Sequence, residues 1–341
     1  FVLSIADFGT PRLIGRDFTV LATEAFALFS SEVGGHAGGA SALSMVLIVT
    51  SSVFVLLQRA AVRSDLYHSG LMKKRVPASV SGLRAVIVHA LAYAIVLFGA
   101  IPAFTAFLFS FRKTSGPVFQ EGFSLQSYEK IISSLSTPVI NTLVYSSAAV
   151  SLIVLVGILI GYLIARRRGA ATAALDTLLM VPYLVPGIVM GIALVTRFNV
   201  PPLAITGTGL IIVLAVFIRR LPYAARAVAM ALRQLSPSLE EAAISLGYRP
   251  WQAFVKVTVP LIAPGIMAGA LMSFVTAMNE LSASLVLYIG GTITMPVRIY
   301  LSVMDGEYGT ASAMATILLI LTVLSVFSAF RLSGRKQSIL L

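Results

Sequence analysis

The sequence predicts an all-α, polytopic helical membrane protein, and three observations lead to that fold class. Hydrophobic residues make up 58% of the 341 positions and charged residues only 11%, whereas a soluble domain carries about 25% charged residues. The mean hydropathy is +0.95. Apolar runs of about 20 residues recur along the chain, which is the length that a helix needs to cross a bilayer core. The chain contains no cysteine, so neither disulfides nor thiolate metal sites are expected.

Seven apolar runs predict membrane-spanning helices. In chain order they are Ala40–Leu57, Ala85–Phe109, Asn141–Ala165, Leu175–Val195, Gly207–Ile218, Leu261–Met278 and Ala311–Phe330. The fifth run is short, and the amphipathic stretch Leu221–Leu232 is expected to extend it. In the fourth run, Pro182 and Pro186 together with Gly187 and Gly191 predict a kink.

The basic residues predict the orientation of the chain in the membrane. Residues 58–83 between the first two spans are polar and basic and are expected to form a linker. If this linker is cytoplasmic and each span crosses once, 18 of the 25 Lys and Arg lie on the cytoplasmic side, including Arg219 and Arg220. This asymmetry is the positive-inside signal, so the net charge of +12 is not interpreted as a nucleic-acid footprint. It places residues 236–260 and the tail 336–341 in the cytoplasm.

An internal similarity divides the chain into two parts. GGASALSM at Gly38–Met45 resembles GTASAMAT at Gly309–Thr316, and the offset between matched segments stays between 271 and 274 residues. Residues 1–57 are therefore interpreted as the tail of a first repeat with its last transmembrane helix, and 84–335 as a complete second repeat with about six spans. Chance similarity between apolar helices is the alternative. The repeat interpretation predicts about five more spans upstream of Phe1.

The stretch from Ser236 to Pro260 is polar and contains three prolines, although it lies between two apolar spans. Ser236 as the cap and Pro237 in the first turn predict the start of a helix. Ser238 and Glu241 offer a competing capping box. We call residues 236–260 the elbow, because the pattern predicts a helix, a turn and a second helix.

The second half of the elbow begins at a glycine. Gly247 is expected to end the first helix in the left-handed conformation, and Pro250 is expected to start the next. The side chains predicted to share one face of that helix are Trp251, Phe254, Val255 and Thr258. An interfacial helix lying on the membrane is one interpretation of the elbow. The small pair Ala242 and Ala243 favours the other, a knob that fits a cleft on another protein.

The elbow resembles a known signature. Glu241–Ala243, Gly247 and Val257–Pro260 have the residue types and spacing of the EAA signature of binding-protein-dependent ABC import permeases. Met278–Leu285 and Ala6–Pro11 resemble the paired stretches of the two-repeat ferric-iron permeases. The resemblance implies the MetI-like ABC importer permease fold, in the C-terminal part of a two-module chain. It also implies a multi-pass protein of the bacterial inner membrane.

The same resemblance implies a function. The chain is expected to be the transmembrane permease subunit of an ATP-driven importer, most like those for ferric iron, with no catalytic residue and no cofactor. The sequence has no G-x-x-x-x-G-K-[ST] loop, which agrees with ATP hydrolysis on a separate chain. The expected partners are a cytoplasmic ABC ATPase dimer, a periplasmic or lipid-anchored substrate-binding protein and membrane lipid, with no nucleic acid. The residues expected to couple to the ATPase are Glu240, Glu241, Ala242, Ala243, Gly247 and Pro260.

Two groups of alternatives stay open at this point. The same fold would serve an importer of thiamine, a polyamine or a phosphonate, and an ATPase-independent secondary transporter or channel is the alternative of another class. Four polar residues near the end of the sixth span are candidates for the translocation pathway or gate: Asn279, Glu280, Ser282 and Ser284. An ionisable residue inside an apolar stretch favours a functional role. The alternative is that Glu280 lies at a helix break near the outer surface and only caps or packs. The histidines lack metal-ligand spacing, so no metal site is predicted.

Overall fold

The computed structural model describes residues 4, 7–15, 18–30, 37–61, 81–167 and 169–337, and it confirms the helical fold class. The elements, in chain order, are α1 Gly9–Ile14, α2 Leu21–Ser30, α3 Ala37–Ala61, α4 Leu83–Ser110, β1 Arg112–Ser115, β2 Val118–Phe123, α5 Gln126–Ser134, α6 Ser136–Arg166, α7 Ala170–Leu184, α8 Gly187–Phe198, α9 Gly209–Gln234, α10 Ser238–Ser245, α11 Pro250–Ala253, a π-helical turn Phe254–Thr258, α12 Val259–Leu261, α13 Ala263–Met278, α14 Ser284–Leu287, a 3-10 turn Gly290–Thr292, α15 Met295–Met304 and α16 Tyr308–Gln337.

Most predicted spans correspond to helices of the expected length. Among the described residues, three helices are long and apolar enough to cross a membrane: α4, α6 and the part of α16 up to Arg331. They match the second, third and seventh predicted spans. Two bent helix pairs raise the number to five, and they match the fourth and sixth. The first predicted span lies in α3. The fifth is α9, a single helix that includes the predicted extension Leu221–Leu232.

The fourth span is broken, whereas the sequence predicted only a kink. α7 ends at Leu184, α8 begins at Gly187, and the two helices are bent by 102°. Val185 between them is extended, with ψ of 121°. Pro186 explains the break, because its ring disfavours helical backbone in the residue before it and its nitrogen carries no hydrogen to donate.

A short β-hairpin, which the sequence analysis did not predict, follows α4. β1 and β2 pair antiparallel, with Thr114 opposite Phe119. Gly116 has a φ of +57° in the connecting turn, where the missing side chain removes the steric cost. The ring of Phe119 stacks on that of Phe109 with centroids 4.7 Å apart. The hairpin is therefore held against the end of α4.

α9 packs tightly between α6 and α13, and small residues allow the close approach. α6 presents a G-x-x-x-G pair ending at Gly161, and α13 presents one ending at Gly269. A Cβ atom on Gly161 would lie 2.7 Å from Cγ1 of Val228, and one on Gly269 would lie 2.8 Å from Cα of Ala224. Such small-residue contacts are a principal source of helix association in lipid. They fix the position of α9, which carries the arginines described below.

The N-terminal helices repeat the order of the last three. α2 and α15 begin at residues 21 and 295, an offset of 274, and α3 and α16 begin at 37 and 308, an offset of 271. The ring of Phe8 lies 5.1 Å from that of Phe26 and 6.1 Å from that of Tyr300, centroid to centroid. Phe26 and Tyr300 occupy matching positions in α2 and α15. Phe8 also belongs to a buried core with Ile188 and Leu285, so the N-terminal segment packs against the rest of the chain.

The remaining domain boundaries fall partly outside the described residues. The linker predicted at 58–83 begins within α3, and its residues 62–80 are not among those described. The predicted tail 336–341 begins within α16, and residues 338–341 are likewise outside the described part. The division into a first-repeat tail, a linker and a second module therefore stays a prediction.

Candidate functional site

The elbow forms two short helices that meet at a glycine, as predicted. α10 ends at Ser245, and Gly247 has a φ of +94°, in the left-handed region. The start of the helix differs from the prediction. Pro237 occupies the position before α10 without a side-chain cap. The hydroxyl of Ser236 accepts a hydrogen bond from the Ser238 N–H at 3.3 Å. The competing capping box from Ser238 is therefore wrong.

The second half of the elbow contains a π-helical turn that changes which side chains share a face. Ala253 and Thr258, five residues apart, are buried, whereas Trp251 and Val255 are 61% and 51% exposed. At 3.6 residues per turn, Trp251, Val255 and Thr258 were predicted to share one face. That prediction is wrong, because a π-helical turn takes more residues per turn than an α-helix.

The elbow is tied to the end of α6 through Glu240. The Tyr162 hydroxyl donates a hydrogen bond to Oε1 of Glu240 at 2.9 Å, and the Thr258 hydroxyl donates to Oε2 at 3.4 Å. The ring of Phe254 meets that of Tyr162 edge to face at 4.9 Å between centroids. Arg166 of α6 also donates from Nη1 to the Leu235 carbonyl at 3.2 Å. A displacement of the elbow would therefore act directly on α6, a long apolar helix.

The residues predicted to couple to an ATPase divide into two groups. Ala243 is only 5% exposed and packs within this chain, and Glu240 is half-buried against α6. The exposed members are Glu241, Ala242, Gly247 and Pro260. The elbow also exposes large apolar side chains that the prediction did not include, above all Leu246 at 82% and Trp251 at 61%. Exposed aromatic and aliphatic side chains on a polar segment are typical of a protein-binding surface.

A second candidate site is an open cavity of about 480 Å³ at a point where helices are interrupted. It is lined by Asp7, Gly9, Thr10, Leu13, Ile14, Arg219, Arg220, Asn279, Glu280, Leu281 and Ser282. The break between α7 and α8 lies against it, since a Cβ atom on Gly187 would lie 2.5 Å from Cβ of Ser282 and 2.9 Å from Nη1 of Arg219. We call this space the triad cavity, after Arg219, Arg220 and Glu280, three charged residues that line it. Discontinuous helices line substrate sites in many transporters.

Three charged side chains form one buried cluster in this cavity. Glu280 is 4% exposed, and its Oε1 lies 2.6 Å from Nη1 of Arg219 while its Oε2 lies 2.5 Å from Nη2 of Arg220. The Ala283 N–H donates to Oε1 at 3.1 Å, so the carboxylate also caps the turn before α14. Arg219 lies ten residues after Gly209, which is about 15 Å along the axis of α9.

The cluster adds an ion pair that the charge count did not predict. Arg219 and Arg220 were assigned to the cytoplasmic cations, and in the structure they lie near the middle of α9 and are paired with Glu280. Counting charges between apolar runs does not detect an ion pair formed across 60 residues of sequence, and the pairing is what permits their burial. The sequence signal for this ion pair is that two adjacent arginines directly follow the apolar run 209–218.

The structure brings three of the four predicted pathway residues together. Asn279, Glu280 and Ser282 line the triad cavity, whereas Ser284 is buried beyond it at 2% exposure. Asn279 donates from Nδ2 to the Val275 carbonyl at 2.8 Å. Asp7, at the position that matches Glu280 in the internal similarity, lines the same cavity and accepts a hydrogen bond from the Gly9 N–H at 3.1 Å. The sequence pairs the stretch Ala6–Pro11 with Met278–Leu285, but the position of Asp7 in this cavity was not predicted.

Comparison with known proteins identifies the family. Residues 153–339 match the family described as "Binding-protein-dependent transport system inner membrane component". The chain belongs to this family. It is 32% identical over 331 residues to the ferric transport system permease protein FbpB of Actinobacillus pleuropneumoniae, covering 94% of this chain and 47% of that protein. It is 31% identical over 194 residues to the sulfate transport system permease protein CysT of Escherichia coli, covering 52% and 69%. The chain thus spans about half the length of the ferric relatives it matches.

Solved structures show the same fold. A bacterial ABC transporter that imports the acidic polysaccharide alginate shares 16% identity and a TM-score of 0.57, over 74% of this chain and 96% of that one. A structure of the MetNI methionine ABC transporter in an inward-facing conformation shares 20% identity and a TM-score of 0.52, over 61% and 98%. The predicted MetI-like permease fold and the position in the bacterial inner membrane are therefore confirmed.

Proposed function

We propose that the chain is part of the permease subunit of an ATP-driven importer and that the elbow couples it to a separate cytoplasmic ATPase. The membership of the family supports the first part. The geometry of the elbow supports the second, because its exposed Leu246 and Trp251 offer a docking surface while Glu240 ties the same segment to α6. Among the known transporters with this fold, the alginate importer has been captured with a periplasmic protein bound to its substrate. By analogy, we propose a periplasmic substrate-binding protein as the second partner of this chain.

The proposed cargo is ferric iron. The observation that carries this proposal is the extent of the match to the ferric permease, which includes the N-terminal segment and covers 94% of the chain. The sulfate permease matches over 52% and the 2-aminoethylphosphonate permease PhnV of Salmonella typhimurium over 50%, at 29% identity. Sulfate and a phosphonate are the further candidate cargoes, each supported by similarity over about half of this chain.

The proposed organisation is two modules in one polypeptide, of which this chain contains the end of the first and the whole of the second. The offsets of 274 and 271 between matching helices support it, as does the coverage of 47% of the ferric relative. In this arrangement Asp7 and Glu280 are matching residues that face one cavity between the modules. Each module would contribute one elbow to the ATPase dimer.

Uptake into vesicles tests the proposal. The full-length permease would be reconstituted with its ATPase and its binding protein, and the uptake of ⁵⁵Fe³⁺, sulfate and 2-aminoethylphosphonate would be compared with and without ATP. We expect ferric uptake that requires ATP and the binding protein. Uptake of sulfate or of the phosphonate without ferric uptake would replace the proposed cargo. Uptake of any cargo at the same rate without ATP would overturn the importer class in favour of a secondary transporter.

A further inference from the structure

The triad cavity contains more hydrogen-bond donors than its carboxylate can use. Each guanidinium carries five N–H groups, while a carboxylate offers about four lone-pair sites. One Oε atom of Glu280 is already shared between Arg219 and the Ala283 N–H. The Nε of Arg220 is buried and has no hydrogen-bond partner among the described residues. Both arginine side chains are 14% exposed, and they line the cavity.

The cavity also lacks the features of a site for a bare metal cation. In the part of the chain that the structure describes, no group of three or more His, Asp or Glu side chains could hold a metal ion. Arg219 and Arg220 lie next to each other on α9, while Asp7 lies on the N-terminal segment. A trivalent cation entering beside Glu280 would meet two guanidiniums at the same place, and like charges in a partly desolvated site repel strongly.

We propose that Arg219 and Arg220 form an oxyanion subsite, so that the cargo crosses this cavity as a species that carries carboxylate, phosphate or sulfate oxygens. Paired guanidiniums suit such groups because their planar N–H forks match oxyanion geometry and stay charged. This inference rests on the proposed function in taking the cavity as part of the translocation pathway. For a ferric cargo, it means transport of the ion in complex with an oxyanion.

Glu280 acts in this account as an internal competitor for the same donors. In the structure it occupies both guanidiniums at 2.5 and 2.6 Å, as the incoming oxyanion would. An arriving oxyanion displaces the carboxylate from at least one arginine, and its departure lets the carboxylate return. Removing an arginine and removing the carboxylate must therefore change oxyanion affinity in opposite directions. A purely structural ion pair would show no such opposition.

The test is equilibrium binding of [³⁵S]sulfate to the full-length permease assembled with its ATPase in nanodiscs, without the binding protein. Phosphate and citrate at equal ionic strength serve as competitors, and chloride as the reference anion. The variants are Arg220→Gln, Arg220→Lys and Glu280→Gln. The matched control is Arg226→Gln, on the same helix, whose guanidinium pairs with Asp176 at 2.9 Å and does not line the triad cavity.

We expect Arg220→Gln to weaken sulfate binding by about tenfold or more, the loss of one charge-assisted contact. The sulfate affinity of Arg220→Lys should lie between those of Arg220→Gln and the unaltered protein. Glu280→Gln should bind sulfate more tightly than the unaltered protein, and Arg226→Gln should bind it equally well. Absence of saturable sulfate binding, or equal binding by Arg220→Gln and the unaltered protein, would overturn the inference. So would weaker binding in Glu280→Gln.

Ferric uptake by the same permease–ATPase complex, reconstituted into vesicles and supplied with the binding protein, separates this inference from the proposed function. ATP-driven ferric uptake without oxyanion binding would refute the subsite and leave the proposed function standing. Arginine-dependent oxyanion binding without ferric uptake would refute the ferric cargo and leave the subsite standing. Citrate and phosphate competition then identify which oxygen group the subsite prefers.

Discussion

Replacing Gly161 by alanine tests whether the close approach of α6 to α9 holds the permease together. A Cβ atom at this position would lie 2.7 Å from Cγ1 of Val228 and 2.8 Å from the Ala225 carbonyl oxygen. One of these neighbours is backbone, so the contact cannot be relieved by a rotamer change alone. We expect Gly161→Ala to lower the free energy of unfolding by about 1–3 kcal/mol, the usual cost of overpacking. Thermal unfolding of the purified full-length protein in detergent measures it.

The chain provides a matched control for this substitution. Gly99 lies inside α4, and a Cβ atom there would meet no heavy atom within 4 Å. Gly99→Ala should therefore be neutral or raise the helix stability by up to about 1 kcal/mol through helix propensity. Equal melting temperatures for Gly161→Ala and Gly99→Ala would refute the packing argument. A lower melting temperature for Gly161→Ala alone would support it.

Four further predictions concern the elbow, the triad cavity and the topology. Gly247→Val should destabilise the elbow by about 1–3 kcal/mol through backbone strain, because φ is +94°. A steric clash is not expected, since no heavy atom lies within 4 Å of the added Cβ. Gly247→Asn should be tolerated better, and ATP-coupled uptake by the two variants distinguishes backbone strain from steric conflict. Glu280→Ala should lower the free energy of unfolding by about 1–3 kcal/mol, since it removes the carboxylate that pairs with two half-buried guanidiniums, and a melting temperature like that of the unaltered protein would contradict this. Tyr162→Phe should cost about 1 kcal/mol by removing the 2.9 Å hydrogen bond to Glu240, with the ATPase still co-purifying but hydrolysis less dependent on substrate. A cysteine at Ser238 should react with an impermeant label only in inside-out vesicles, and one at Gln120 only in intact cells or spheroplasts; labelling of Ser238 from outside would reverse the predicted orientation.

The sequence was sufficient for features that depend on local pattern. Apolar run length predicted α4, α6 and α16, and Gly247 was predicted in the left-handed conformation from its position after an amphipathic stretch. Features that depend on contacts between distant residues were not predicted. Arg219 and Arg220 pair with a carboxylate about 60 residues away, and no count of loop charges contains that information.

In the elbow too, some features were predicted from the sequence and others were not. Its turn and its two helices were predicted from proline, glycine and apolar spacing. The π-helical turn Phe254–Thr258 was not predicted, because nothing in its composition separates it from an α-helix. It places the buried Thr258 and the exposed Trp251 on different faces, although they were predicted to share one. Ala243 was expected to face a partner together with Ala242. Because it packs within this chain, a bulky substitution there would disturb the elbow itself, and Ala242 is the position that probes docking.

Truncating the most exposed aromatic side chain of the elbow tests whether the elbow couples the permease to the ATPase. Trp251 is 61% exposed, and truncating a tryptophan at the centre of a protein interface typically costs about 2 kcal/mol or more. Phe123→Ala is the matched control, an aromatic side chain 82% exposed on the hairpin. The measurement is substrate-stimulated ATP hydrolysis and uptake by the reconstituted full-length transporter, alongside co-purification of the ATPase. We expect Trp251→Ala and Ala242→Trp to insert normally, retain less ATPase and lose coupled uptake, while Phe123→Ala retains the ATPase. Normal ATPase retention and wild-type coupled uptake in both elbow variants would rule out coupling through this surface of the elbow.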